Sequence, residues 1–202
     1  MADKFQNKFR IPSARLLGYD YGQNGAYFIT ICTYNREHYF GEIVDEEMHL
    51  NEIGKMADKY WLEIQEHFPY IELGNHIVMP NHIHGILIIY KIKNMVGGNG
   101  MDGVVETRLI ASLPTALPTA SPIKKNGGIT GMNNPMFHEN ISRIIRWYKG
   151  RCTFEIHKEY KGFDWQERFY DNIIRDANSF ERIQNYIANN PKNWKDDKFC
   201  GE

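Results

Sequence analysis

Near the middle of the chain two apolar extended runs meet at Pro80-Asn81, and this junction restricts the fold more than any other segment. Residues 77–79 are Ile-Val-Met, and residues 82–90 are again apolar, opened by two histidines and a glycine. Strand formers on both sides of a Pro-Asn turn make a β-hairpin. The strands of a hairpin are antiparallel neighbours, so any sheet must be built around that pair. The flanking segments then switch period. Ile53, Met56, Ala57, Tyr60, Trp61 and Ile64 follow helical spacing across residues 50–68, and Pro69 ends the run. Ile141, Ile144, Ile145 and Tyr148 predict a second helix across residues 139–157.

Residues 27–34, rich in β-branched and aromatic side chains, read as a strand before the first helix. Residues 163–174 read as an extended segment after the second. A last helix is predicted over residues 179–189, capped by Asn178 or Ser179 and stopped by Pro191. The order strand, helix, strand, strand, helix, strand belongs to the α+β class. It spells a ferredoxin-like (RRM-like) βαββαβ sandwich with its helices on one face of an antiparallel sheet. The added C-terminal helix then has that helix layer to lie against.

A length of 202 residues suits a single domain over residues 1–202 with an insertion. The insertion is placed at residues 91–137, which hold 7 of the 17 glycines and 4 of the 8 prolines and show no sustained period. A mobile loop is expected there. Lys+Arg number 24 against 25 Asp+Glu, for a net charge of −1, so a globally basic nucleic-acid binder is excluded while local basic patches remain. Cys32, Cys152 and Cys200 form neither a disulfide framework nor a thiolate zinc pattern. The apolar run 86–90 is too short to span a bilayer, and the first ten residues have no signal-peptide core. A reduced, cytoplasmic protein with no membrane partner is expected.

The sharpest chemical signal is His82-Ile83-His84. On a strand the two imidazoles point the same way and can share a cation, while Ile83 anchors the other face. Gly85 is read as leaving room beside the pair for metal or substrate. The second signal is Tyr186 with Asn190, one helical turn apart at the edge of the stripe Phe180, Ile183 and Ile187. Asn190 offers an oxygen to a hard cation. The third is the basic, aromatic-interleaved run Arg143, Arg146, Trp147, Tyr148, Lys149 and Arg151, joined by Arg10 and Arg15 of the N-terminal arm.

Together these residues resemble the HUH single-strand nucleases of the one-tyrosine transposase type, and most closely the REP-associated tyrosine transposases. Four ordered blocks carry the likeness: residues 10–16 with 27–30, residues 78–84, residues 165–171 and residues 186–191. The resemblance implies that His82, His84 and Asn190 hold Mg²⁺ or Mn²⁺. It implies that Tyr186 attacks single-stranded DNA near a repeat hairpin and forms a 5′-phosphotyrosine, acting as endonuclease and strand transferase. A monomer or a homodimer would serve, since related insertion-sequence enzymes swap the nucleophile helix between subunits. Tyr170, in the third block, is the rival nucleophile; Tyr186 is preferred because its helix also supplies Asn190.

Two other classes are weighed beside this one. A catalytically inactive RRM-like module could bind single strands, but the run Lys/Arg-Gly-Phe/Tyr-Gly/Ala-Phe is absent and the histidine pair would go unused. A two-histidine phosphodiesterase needs two separated His-x-Thr/Ser elements, and the chain has none.

Overall fold

The computed structural model describes residues 19–91, 139–197 and 199–200, together with the backbone of strands β1 (Lys4–Phe5) and β2 (Lys8–Phe9). The expected insertion at 91–137 therefore lies outside the described residues, Lys91 excepted. Arg10 and Arg15 lie outside them too.

The central sheet contains β3 (Gly25–Cys32), β6 (Ile71–Met79), β7 (His82–Ile89) and β8 (Tyr170–Ile174). Its order is β6-β7-β3-β8, with every neighbouring pair antiparallel. That order follows from the connections. A helical crossover returns the chain parallel to its starting strand, and the intervening gap is filled by a strand of the other half. Helix α1 (Glu52–Leu62), extended by the single turn α2 (Ile64–His67), carries the first crossover, and α3 (Ile141–Ile156) the second. This is the ferredoxin-like arrangement. The hairpin at Pro80-Asn81 is present, with Met79 paired to His82.

Strand alternation divides the interior in two. Tyr27, Ile29 and Ile31 of β3 and Ile83, Leu87 and Ile89 of β7 face α1 and α3, in a core completed by Trp61, Tyr148 and Ile144. Ala26 and Phe28 with Ile86 and Ile88 face the opposite way. There they meet Phe180, Ile183 and Ile187 of α4 (Ala177–Ala188). The last helix thus packs on the open face of the sheet and not against the helix layer as expected. Its stripe finds an uncovered apolar strip on β6 and β7, which helices α1 and α3 cannot reach from the far side. Its cap is Asp176, whose Oδ1 accepts from the Ser179 amide at 2.8 Å, and neither Asn178 nor Ser179.

Two further differences have local causes. Of the extended segment 163–174, only residues 170–174 enter the sheet. Trp165 makes one bridge to Thr33, and the polar residues Gln166, Glu167 and Arg168 stand exposed between. A second hairpin, β4 (Gly41–Val44) and β5 (Glu47–Leu50), turns through Asp45 and Glu46, both with positive φ. A two-residue turn with positive φ at both positions usually advertises itself as Asn-Gly, and here it does not.

Candidate active site

His82 and His84 open β7 two residues apart and leave the sheet on the same face, the one covered by α4. Both are buried, with ring centroids 4.4 Å apart. Each ring is held from behind. Thr30, the register partner of His84 on β3, places its Oγ1 2.9 Å from His84 Nδ1. The wholly buried Asn81 donates through Nδ2 to the carbonyls of Arg36 at 3.0 Å and Phe199 at 2.7 Å. Its Oδ1 therefore faces His82 Nδ1, 2.9 Å away, and accepts that proton. The remaining nitrogen, Nε2, carries the lone pair. An imidazole fixed this way by an outer partner is the form that ligates metals.

Helix α4 delivers the tyrosine. Tyr186 sits one turn before Asn190, and its hydroxyl lies 3.2 Å from His84 Nε2 and 3.3 Å from Asp197 Oδ2. Its ring stands edge-on to Phe28, centroids 6.1 Å apart. Burial first, and the Asp197 carboxylate second, push the Tyr186 phenol up to about 12. Asn190 is buried; its Nδ2 donates to Asp197 Oδ2 at 3.2 Å, while its Oδ1 has no hydrogen-bond partner.

An orphaned, buried amide oxygen calls for a ligand. Ligand atoms of His82, His84 and Asp197 lie within 4.8 Å of one another. Two imidazoles, one carboxylate and one amide oxygen form a mixed nitrogen–oxygen donor set that fits a divalent cation. Asp197 is the member that sequence reasoning missed. It follows a short 3₁₀ turn, Trp194–Asp196, in a polar tail without periodicity. Only its spatial pairing with Asn190 and Tyr186 distinguishes it from Asp196 beside it.

Gly85 does not open space beside the histidines. Alternation turns it to the other face, where a Cβ would lie 2.2 Å from the Trp61 ring. The glycine admits the tryptophan to the core. The basic residues of α3 are not brought to the site either, because α3 lies beneath the opposite face of the sheet. The Lys149 ammonium donates to the carbonyls of Gln166 and Arg168, and burial lowers its pKa to about 8. Arg151 pairs with Glu155 at 3.0 Å and lies over the Tyr60 ring; Arg143 lies over Phe68. Arg146 is exposed. Tyr170 is also exposed, at the start of β8.

No cysteine forms a disulfide. Among the described residues no helix is long and apolar enough to cross a membrane.

No family model matches the chain. The fold is shared with a REP-associated tyrosine transposase solved bound to a REP hairpin. The TM-score is 0.51 at 17% identity, over 91% of this chain and 74% of that one. A Haemophilus influenzae protein that carries only the name "Uncharacterized protein" is 34% identical over 188 residues, 92% of this chain and 91% of the relative. Identity at that level along nearly the full length of both proteins places the chain in one family with the Haemophilus influenzae protein.

Proposed function

We propose that this protein is a transposase-type nuclease that cuts and rejoins single-stranded DNA beside a hairpin, with Tyr186 as nucleophile. The observation that carries the reading is the Tyr186 hydroxyl 3.2 Å from His84 Nε2, within one chain. A tyrosine has little reason to be held against a buried histidine pair unless it acts on what the pair holds. The fold neighbour's hairpin DNA supports the same substrate class here.

His82, His84, Asn190 and Asp197 would hold Mg²⁺ or Mn²⁺. When bound, the cation polarises a phosphoryl oxygen and neutralises charge that builds on the phosphate. The chain does the rest. Tyr186 Oη forms a bond to phosphorus as the bond from phosphorus to the 3′-oxygen breaks. The phenol proton passes to Asp197 Oδ2, the carboxylate oxygen 3.3 Å away, and the departing 3′-oxygen takes up a proton from solvent. The product is a 5′-phosphotyrosine and a free 3′-hydroxyl. Attack by a 3′-hydroxyl on the adduct reverses the step, and the phosphoester bond is conserved without an outside energy source. Helix α4 rests on its own chain's sheet, so a monomer has every residue the step needs.

The test is a trapped adduct. Protein incubated with Mn²⁺ or Mg²⁺ and 5′- or 3′-labelled oligonucleotides carrying a repeat hairpin should yield a species that survives denaturation. The label should be on the strand 3′ of the cut. Free 5′-phosphate ends without any adduct would make the protein a hydrolytic nuclease and sink the reading.

A further inference from the structure

The two histidines are held from behind by different kinds of group. Asn81 Oδ1 can only accept, and the Nδ2 hydrogens of the same amide go to the carbonyls of Arg36 and Phe199. His82 is thereby fixed with its hydrogen on Nδ1. The partner of His84 is a hydroxyl. Thr30 Oγ1, 2.9 Å from His84 Nδ1, carries both a hydrogen and lone pairs, so it can serve either way. Thr30 and His84 are register partners on adjoining strands, and both are buried.

Counting hydrogens along the row shows how His84 stands. The Tyr186 hydroxyl has one hydrogen and donates it to Asp197 Oδ2 at 3.3 Å. Its oxygen then meets His84 Nε2 at 3.2 Å with lone pairs only, so that nitrogen is the donor. Nδ1 is left bare and accepts from Thr30. Each hydrogen is used once: Thr30 to His84, His84 to Tyr186, Tyr186 to Asp197. An imidazole nitrogen that carries a hydrogen has no lone pair for a cation. Nε2 can therefore ligate only if the hydrogen of the ring moves to Nδ1. The ring cannot swing to another partner, because it packs against His82, Phe28 and Phe199, with centroids 4.4, 5.2 and 5.8 Å away. The Thr30 hydroxyl can turn, and the oxygen that donated to Nδ1 then accepts from it.

We propose that Thr30 is a positioning residue that sets the tautomer of His84, so that Nε2 either donates to Tyr186 or ligates the cation. The ring stays neutral throughout: Nε2 releases one proton to water and Nδ1 takes one up. When Nε2 ligates, Tyr186 Oη loses the hydrogen that held one of its lone pairs and keeps Asp197 as its acceptor. The nucleophile is then free to face phosphorus as the cation is seated, which couples two requirements of the cut. Tyr186 and the cation compete for one atom, and Thr30 serves both outcomes. The inference rests on the metal site of the nuclease reading.

The test is calorimetric titration of Mn²⁺ into the full chain without DNA. Thr30→Val keeps the branched shape and removes the hydroxyl. It should weaken Mn²⁺ affinity by about tenfold, and Thr30→Ser should restore it. Tyr186→Phe removes the acceptor that holds the Nε2 hydrogen and should tighten Mn²⁺ affinity by about threefold or more. In ¹⁵N-histidine spectra the His84 signals, identified by their loss in His84→Gln, should show the hydrogen on Nε2. Adding Mg²⁺ should move it to Nδ1. Parent-like affinity in Thr30→Val, no rescue by Thr30→Ser, or unchanged or weaker affinity in Tyr186→Phe would overturn the assignment. So would a hydrogen found on Nδ1 before Mg²⁺ is added. Thermal melting of each variant separates these results from misfolding. A parent protein that binds no Mn²⁺ would instead overturn the metal site itself, so the two failures are distinct.

Discussion

Tyr186 and His84 stand 102 positions apart in the chain, yet hydroxyl and Nε2 are 3.2 Å apart in the fold. Tyr186→Phe removes the oxygen and keeps the ring against Phe28. The variant should bind hairpin DNA as the parent does and form no covalent adduct, because a water would have to attack without the same positioning. Tyr170→Phe should still form it. An adduct with Tyr186→Phe and none with Tyr170→Phe would mean that the tyrosines have been assigned in reverse.

Removing the cation should separate cutting from binding. EDTA, or His84→Ala, should abolish adduct formation while hairpin affinity, which comes mainly from phosphate contacts, stays close to the parent's. Asn81→Ala should weaken Mn²⁺ affinity by about 10- to 100-fold, since it removes the outer partner of His82. Calorimetric titration of Mn²⁺ into each protein reads this without DNA. Parent-like Mn²⁺ affinity in His84→Ala would remove that residue from the site.

The pH dependence follows from the route of the proton. Burial and Asp197 hold the Tyr186 phenol at about 12, above its ordinary value, so it is protonated throughout the neutral range. Its proton then passes to Asp197 within the attack, and no ionisation comes first. Single-turnover adduct formation at saturating Mn²⁺ should therefore vary little from pH 6 to pH 9. A climb of about tenfold per pH unit would show that the phenoxide forms before attack, and would remove Asp197 as the proton acceptor.

How much of this was legible in the sequence depends on range. The βαββαβ order, the histidine pair on one face and the Tyr186–Asn190 turn all follow from periods of two and 3.6, which are local properties. The hairpin at Asp45-Glu46 was not legible, because its left-handed turn is made without glycine or asparagine. The face chosen by α4 was not legible either: its stripe could have covered either layer, and only the strip left open by α1 and α3 decides. Asn81 acts through a carbonyl 118 positions away, and Asp197 meets Asn190 and Tyr186, 7 and 11 positions back, across an aperiodic turn, so no spacing rule reaches either. The α3 cations looked like a nucleic-acid face because charge and aromatic residues alternate there. That pattern cannot tell a solvated cation from Lys149, whose ammonium is tied to two carbonyls.

Gly85→Ala should cost stability without touching the site directly. The added methyl would sit 2.2 Å from a Trp61 carbon, in a core where Trp61 also stands edge-on to Tyr148 at 5.3 Å. Overpacking of this kind costs ~1–3 kcal/mol, and a loss near 2 kcal/mol corresponds to about 4–8 °C in melting temperature. An unchanged melting curve would mean that the strand shifts freely, and the packing argument would fail.

Lys149→Ala separates a structural lysine from a phosphate-binding one. It should lower the melting temperature, because the segment from Trp165 to Arg168 loses its tie to α3. The slope of DNA affinity against salt should not change. A slope reduced by about one would return Lys149 to the list of phosphate contacts.

Asn81 admits almost no substitute, and the reason is arithmetic. The position must offer one acceptor to His82 and two donors to carbonyls that arrive from residues 36 and 199. Aspartate has the shape but no hydrogens, and would set a negative charge against two carbonyl oxygens. Serine has a single hydrogen and a shorter reach, and glutamine carries one carbon more than a fully buried site leaves room for. A chain drifting in sequence can therefore vary much of its surface and keep this arrangement, whereas a single base change in the codon for residue 81 breaks the hold on His82.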